Sequence, residues 1–144
     1  MQALTGEQYA RLRQLSEAWS RCHLKDAKRD PRFNPRLGVD AICFQPHRLD
    51  DGRLGLLGAL VTPVSLSLAL VIDQPSTPRP VTEHLMLSLP TGHYPFMFES
   101  LGEAEGWWRC ELLDDLSDVG SLQQGSRLAQ QLMERVMTSA ASNT

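Results

Sequence analysis

The residues best able to hold a metal ion or to act as nucleophiles in this sequence are its histidines and cysteines. They are His23, His47, His84, His93, Cys22, Cys43 and Cys110. No histidine stands three or four positions from another ligand in a known metal-binding pattern, and no Cys-x-x-Cys pair occurs. The wide spacing of the cysteines does not fit a disulfide framework. We therefore expect reduced thiols and no metal site.

Nucleophilic catalysis is the next possibility that these residue types raise. Ser65 or Cys110 could act as the nucleophile. The base would be His84 or His93, but no Gly-x-Ser-x-Gly, Walker A or Gly-x-Gly-x-x-Gly motif supports such a site. Ser65 and Ser67 alternate with apolar residues, which favours the polar face of a strand. The sequence predicts a protein without catalysis, with a small hydrolase as the weaker alternative.

The segment 99–118 combines seven acidic residues with one base, Arg109, and two tryptophans. Such a surface would hold a basic, partly apolar peptide by long-range attraction and local burial. The alternative is a pair of solvated loops around a strand whose tryptophans fill the core. Trp107 and Trp108 are adjacent on this strand, so they must point to opposite faces of the sheet. One of them is then either covered by a terminal helix or exposed to a partner.

Both ends of the chain carry helix signals. Thr5 and Gln8 form a capping-box pattern, and apolar residues then recur at spacings of three and four. Ser121 and Gln124 repeat the capping pattern before a second apolar stripe. We expect an N-terminal helix within residues 1–30, a C-terminal helix over 121–138 and a flexible tail over 139–144.

Between the helices the apolar period changes to two, which is typical of strands. The predicted strands are 39–44, 54–62, 64–72, 85–89, 93–100 and 107–112. Asp51-Gly52 marks a hairpin turn, and the proline-rich stretch 73–80 marks a surface loop. Because the strands follow one another without long crossovers, we expect an antiparallel meander over 37–113. The fold class is therefore α+β: a single domain, 1–144, whose mainly antiparallel sheet of about six strands is flanked by the terminal helices, both expected on one face.

Composition and charge narrow the class of protein. The 144 residues, 42% hydrophobic and 22% charged, suit one globular domain. The longest apolar run, 54–72, is interrupted by glycines, serines and a proline, so we expect no membrane span. The first residues lack the pattern of a secretory signal, which favours a cytoplasmic protein. The net charge of −3 argues against nucleic acid as a partner, although the stretch 21–36 is locally basic.

Several short segments occur in the order found in a known family. They are Asn34-Pro35, Val39-Asp40-Ala41, Gly58 to Pro63, Leu89 to Phe96 and Cys110 to Leu113, followed by a last helix over 121–136. Through these segments, residues 30–137 resemble the HybE/HupJ family of [NiFe]-hydrogenase assembly chaperones. The resemblance implies a small cytoplasmic α+β protein without catalysis or a cofactor of its own. It also implies binding of a hydrogenase subunit precursor or, in some relatives, of its twin-arginine signal peptide, so that export waits for assembly.

The resemblance also implies which residues form the site. Partner-binding positions would be Thr62, Pro63, Val64, Trp107, Asp114 and Asp115, and a structural motif would comprise Leu89, Pro90, Gly92 and Cys110. The family usually has a tryptophan and a bulky apolar residue where Val64-Ser65 stands here, and a Ser-Pro or similar pair where Asp114-Asp115 stands. A large aromatic anchor is lost and two charges are gained, which keeps open a divergent scaffold with a different client. An extended client segment could add to a sheet edge, and the sequence leaves open which strand that is.

Overall fold

Two helices and six strands make up the structure, a computed structural model that describes residues 4–49, 54–72, 84–101, 106–113, 116 and 118–138. In chain order they are α1 (Gly6–Ala27), β1 (Asp40–Arg48), β2 (Leu54–Val61), β3 (Leu66–Ile72), β4 (His84–Leu89), β5 (Gly92–Ser100), β6 (Gly106–Leu113) and α2 (Leu122–Met137). All eight predicted elements are confirmed, with boundaries shifted by a few residues. The predicted turn at Asp51-Gly52, the loop 73–80 and the tail 139–144 lie outside the described residues.

Both helices begin at capping residues that the sequence indicated. At α1 the box is complete: Gln8 N donates to Thr5 Oγ1 at 3.1 Å, and Thr5 N donates to Gln8 Oε1 at 2.8 Å. At α2, Gln124 N donates to Ser121 Oγ at 3.2 Å. The second bond of that box is displaced by one residue, because Gln124 Oε1 accepts from Gly120 N at 2.6 Å.

The strands form one antiparallel sheet in the order β1-β2-β3-β6-β5-β4. β3 pairs with β6, placing Leu68 opposite Cys110, and does not pair with β4. The order therefore departs from a continuous meander, since two three-stranded meanders meet at the β3–β6 pair. Apolar alternation predicts strands but not their neighbours, because any two strands with one buried face can pair. The two edges of the sheet are β1 and β4.

The two helices cover opposite faces of this sheet. The residues that α1 packs against are Phe44, Leu56, Leu60, Ala69, Val71, Leu101 and Trp107. α2 packs on the other face, in a core that includes Leu57, Leu68, Phe96 and Trp108. The expectation of both helices on one face is wrong, because β2 and β3 are apolar on both sides and each side needs a cover. Trp107 and Trp108 point to opposite faces, as predicted, and both are buried.

β1 is an irregular edge strand. Its register with β2 shifts around Cys43, which has a positive φ of 59°. The bulge brings Phe44 so close to Gly58 that a Cβ there would stand 2.7 Å from the Phe44 Cα and would clash with its ring. Pro46, further along β1, has no N–H to offer a neighbouring strand. These features oppose the addition of another strand at this edge.

Asp40, at the start of β1, makes stability depend on pH. Burial raises the pKa of its carboxyl above the ordinary value of 3.8, because the charged form is poorly solvated there. The ionised carboxylate therefore costs stability at neutral pH, and this cost disappears as the pH falls through the raised pKa. We expect Asp40→Asn to be more stable than the native protein at neutral pH and to lose that advantage at about pH 3.8. Urea unfolding of both proteins tests this, and a stability difference that is independent of pH would contradict it.

Candidate functional site

The outer side of the β4–β5 hairpin lies on the same face of the sheet as α1, beyond the strands that α1 covers. His84, Met86 and Ser88 of β4 stand opposite Met97, Pro95 and His93 of β5, and we call these six residues the open hairpin face. All six side chains are exposed, with Met86 and Met97 at 61% and 56%. None is acidic or a lysine or arginine. An uncharged surface with two exposed methionines suits contact with an apolar segment of another chain.

The turn of this hairpin is fixed by contacts with α2. Thr91 Oγ1 donates to Val136 O of α2 at 2.9 Å and lies 2.6 Å from Tyr94 Oη. Gly92, which ends the turn begun at Pro90, has a φ of +145°, a conformation that residues with side chains rarely adopt. The turn is therefore a poor position for substitution, and its place beside α2 holds the hairpin against the core.

The inner side of the hairpin belongs to that core. Leu87, Leu89 and Phe96 are buried there, in the same cluster as Cys110 of β6. Burial, and then the charge of Glu111, raise the pKa of the Cys110 thiol, so this thiol stays protonated at neutral pH. Cys110 is thus an apolar packing residue in this structure and is poorly suited to act as a nucleophile.

β4 is the less protected of the two sheet edges. It runs from His84 to Leu89 without a proline, without a register shift towards β5 and without an acidic, lysine or arginine residue. Natural edge strands usually carry such features, because unpaired N–H and C=O groups otherwise accept a further strand. β1 has both a bulge and a proline. Among the strands that the structure describes, β4 is thus the edge that is less protected against strand addition.

Four polar residues separate the open hairpin face from the area under α1. They are Glu99, Arg109, Ser65 and Ser67, which we call the polar strip. Arg109 Nη1 donates to Glu99 Oε2 at 2.9 Å, while its Nη2 donates to Ser65 Oγ at 2.8 Å and to Ser67 Oγ at 2.7 Å. Glu99 Oε1 accepts from Trp107 Nε1 at 2.7 Å. The side chains of Arg109 and Glu99 are only 15% and 23% exposed, so their ion pair is largely buried. Together with the two serines, this pair links β5, β6 and the start of β3.

The turn between β2 and β3 contains three of the expected partner-binding residues. Thr62 N donates to Ser65 O at 2.9 Å, and Ser65 N donates to Thr62 Oγ1 at 3.1 Å. These bonds place Val64 and Ser65 in the turn, which is why β3 begins only at residue 66. Thr62 and Pro63 are buried completely, and Val64 is half-buried. This burial revises the expectation that Thr62 and Pro63 contact a partner, and leaves Val64 as the accessible residue of the turn.

Asn34 holds this turn against two other segments. Asn34 N donates to Pro63 O at 2.8 Å, and Asn34 Nδ2 donates to both Leu116 O and Val119 O at 2.8 Å. Its Oδ1 accepts from Arg36 N at 3.0 Å. The side chain is 3% exposed, so these bonds are made away from water. Asn34 therefore fixes the positions of the α1–β1 connector, the β2–β3 turn and the approach to α2.

Trp107 is not a surface residue. Its exposure is 0%, and its indole lies beneath α1 with the N–H satisfied by Glu99. This is a second revision of the expected contact residues, because a partner cannot reach the indole while α1 is in place. Asp114 and Asp115 lie outside the described residues, as do Glu103 and Glu105. Of the other acidic residues in the segment 99–118, Glu111 and Asp118 are exposed, whereas Glu99 is held within the polar strip.

The residues proposed for a hydrolytic site are not assembled with one another. Ser65 is bonded to Arg109 and Thr62, and Cys110 lies on the α2 side of the sheet, opposite the open hairpin face that carries His84 and His93. His93 Nδ1 instead lies 2.9 Å from Ser88 Oγ, on the exposed face. Among the described residues, no group of three histidine, cysteine or acidic side chains could hold a metal ion.

Comparison with known proteins gives a family match over most of the chain. Residues 10–144 match the family described as [NiFe]-hydrogenase assembly, chaperone, HybE. The chain belongs to the HybE family. This confirms the resemblance drawn from the short ordered segments. The solution structure of HybE from Escherichia coli is similar to this chain, with a TM-score of 0.49 and 26% sequence identity.

The alignment with that HybE structure covers 65% of this chain and 58% of the HybE chain, so it spans less than two thirds of the relative. No curated protein matches the sequence. As for membranes, the described part of this HybE-family chain holds no helix with both the length and the apolar character needed to cross one.

The candidate residues that sequence reasoning missed are Met86 and Met97. Their residue type does not mark them as exposed, because methionine is apolar and both stand among apolar residues of their strands. A signal was present in β4, where the outward positions 84, 86 and 88 carry histidine, methionine and serine between three leucines. An exposed strand face usually carries charge, so its absence marks this strand as unusual.

Proposed function

We propose that this protein is an assembly chaperone for a [NiFe]-hydrogenase, acting in the cytoplasm by binding a hydrogenase subunit precursor or its twin-arginine signal peptide. The observation that carries this proposal is the family match over residues 10–144. The free β4 edge and the open hairpin face support it, because together they offer a place for an extended chain segment.

The binding mode that suits this edge is the addition of a strand. An extended client segment alongside β4 would form main-chain hydrogen bonds on the side where the described part of the chain supplies no neighbouring strand. Such bonds do not depend on the client's side chains, so they provide affinity for any segment that can extend. A chaperone needs this property, since its client is not yet folded when it is bound.

The methionines of the open hairpin face would supply the side-chain contacts. Alternate residues of an added strand would lie on the same side as Met86, with Met97 one strand further in. Methionine is flexible and polarisable, so it can fit apolar partners of different shape. The open hairpin face therefore suits a client whose sequence varies more than its apolar character.

The acidic residues would act at longer range. The segment 99–118 carries exposed acidic side chains at Glu111 and Asp118, and its sequence adds Asp114 and Asp115. Residue 113 ends β6 opposite Leu66 at the start of β3, close to the turn that carries Val64. We include Val64, Asp114 and Asp115 in the proposed contact surface, where acidic side chains would attract the arginine pair of a signal peptide.

Met86→Lys tests the proposed site. A lysine at the open edge introduces a strongly hydrated charge that opposes both an apolar segment and a basic one. We expect the affinity for a purified hydrogenase subunit precursor to fall about tenfold, or ~1.4 kcal/mol, in isothermal titration calorimetry. Amide hydrogen exchange in β4, but not in β1, should slow when the precursor binds.

Leu122→Lys is the matched control, because Leu122 is a similarly exposed apolar residue, at 53%, on α2. This variant should bind the precursor as the native protein does. Equal loss of affinity in both variants, or protection in β1 instead of β4, would refute the site while leaving the chaperone function intact. Failure of the native protein to bind any hydrogenase precursor would refute the function and favour a scaffold with another client.

A further inference from the structure

Five positively charged residues lie together at the end of α1 and in the connector that follows it. They are Arg21, Lys25, Lys28, Arg29 and Arg36, which we call the basic surface. All five are exposed. Arg21, Lys25 and Lys28 are separated by four and three positions, which places them on one face of the helix and its cap. Arg29 and Arg36 extend the charge along the connector.

Acidic neighbours do not neutralise this basic surface within the part of the chain that the structure describes. None of the five cations forms an ion pair with another residue that the structure describes. Asp30, in the middle of the stretch, is held by Arg32: Arg32 Nη2 donates to Asp30 Oδ2 at 2.8 Å and its Nε donates to Oδ1 at 3.0 Å. These hydrogen bonds lower the pKa of Asp30 to about 2. The negative charge of Asp30 is therefore paired with Arg32. The five cations outnumber the exposed acidic residues of this region, Glu17 and Asp26, so the surface has a net positive charge.

Helix stability accounts for only part of this charge. Cations at the C-terminal end of a helix interact well with its dipole, which explains Lys25 in the last turn and Lys28 at the cap. Arg21 lies before that turn and Arg36 lies eight residues beyond the cap, where the dipole has no effect. A role outside the helix therefore accounts better for the whole set.

The backbone that carries the basic surface is held in place. Asp30 N donates to Ala27 O at 3.0 Å and Phe33 N to Asp30 O at 3.0 Å, which gives the connector a fixed course. Asn34 then bonds the connector to the β2–β3 turn through Pro63 O. Charges on a fixed backbone lose less conformational freedom on binding than charges on a flexible tail, so this arrangement favours a specific contact.

We infer that the basic surface docks an acidic segment of a partner protein, at a site separate from the open hairpin face. Residues 1–53 carry ten basic and seven acidic residues, whereas residues 54–144 carry four basic and ten acidic ones. The charge is therefore asymmetric along the sequence, and the exposed cations of the basic surface would attract an acidic partner. The overall charge of −3 disfavours a long nucleic acid and favours a short acidic protein segment.

A fluorescein-labelled ten-residue peptide containing six glutamates is the probe, and fluorescence anisotropy gives its dissociation constant. The test variant is Arg21→Glu/Lys25→Glu/Lys28→Glu. The matched control is Arg48→Glu/Arg127→Glu/Arg135→Glu, which changes the net charge equally at exposed arginines elsewhere. We expect the first variant to bind the peptide at least about tenfold more weakly and the control less than about twofold, with native binding weakening steeply as salt is raised.

A second variant, Lys25→Gln/Lys28→Gln, keeps the test valid if the three charge-reversing substitutions of the first variant disturb α1. It removes positive charge without adding negative charge. It should bind the peptide about threefold more weakly, and circular dichroism should show an intact fold. Equal weakening in the Arg48, Arg127 and Arg135 control would show that net charge alone is responsible and would overturn the inference. So would tighter binding of a 20-base-pair DNA duplex than of the peptide at the same salt concentration. Neither result bears on precursor binding at β4.

Discussion

Asn34→Asp is expected to lower the free energy of unfolding by about 3–5 kcal/mol. The substitution keeps the shape of the side chain and the oxygen that accepts from Arg36 N, but it replaces the amide that donates to two carbonyl oxygens. A carboxylate would then face Leu116 O and Val119 O in a site that is 3% exposed. The cost is large because the buried charge keeps only the Arg36 N–H as a donor, while two carbonyl groups lose theirs.

The pH dependence of this variant separates lost donors from a change in packing. Facing two carbonyls raises the pKa of the new carboxyl in the folded state, since only the protonated form can donate. The destabilisation should therefore shrink as the pH falls through that raised pKa, because the folded state then binds a proton. Urea unfolding at several pH values measures this. Gln14→Glu, the same chemical change at an exposed position of α1, should leave stability within about 0.5 kcal/mol. A loss for Asn34→Asp as small as that would contradict the role of Asn34.

Arg109→Met is expected to lower the free energy of unfolding by about 2–4 kcal/mol. The methionine fills much of the same volume but leaves the Glu99 carboxylate, 23% exposed, with the Trp107 indole as its remaining donor in the polar strip. The hydroxyls of Ser65 and Ser67 also lose the guanidinium that donates to them. Removing one member of a largely buried ion pair costs more than the pair itself contributes, because the other charge stays behind.

A double-mutant cycle with Glu99→Gln isolates that effect. Glu99→Gln alone keeps an acceptor for Trp107 Nε1 and should cost about 1–2 kcal/mol. The double variant should lose less free energy of unfolding than the sum of the two single losses, by about 1 kcal/mol or more, because it no longer buries an unpaired charge. Chemical unfolding followed by tryptophan fluorescence provides all four free energies. Strictly additive losses would show that Arg109 and Glu99 are not coupled and would contradict the polar strip as described.

The elements of this fold are local properties, and the sequence predicted them well. Capping residues at Thr5 and Ser121 and the change of apolar period identify both helices and all six strands. The strand order and the placement of the helices on opposite faces were not predictable in this way. They depend on pairings such as Leu68 with Cys110, which no local pattern specifies.

The candidate site was harder to predict, because its residues look alike in sequence and differ in burial. Trp107 and Pro63 are the types that binding surfaces often carry, yet both are enclosed by other elements. Met86 and Met97 are apolar, yet both are exposed. Asn34 stands out in the sequence only as part of a short motif, and its bonds reach Leu116 and Val119, more than 80 positions away. Only the family resemblance, carried by short ordered segments, reached the function class from the sequence.

The meeting of two three-stranded meanders has a consequence for the order of folding. Within each half, every strand pairs with its neighbour in sequence, so these contacts close short loops at little entropic cost. The joint between the halves is different: Leu66 pairs with Leu113, which cannot happen until the last strand has left the ribosome. During synthesis β3 therefore waits as a temporary edge, and the bonds from Arg109 to Ser65 and Ser67 form across the joint once the halves meet. The outer edge of β3 is thus unpaired during synthesis and is covered only when β6 joins it.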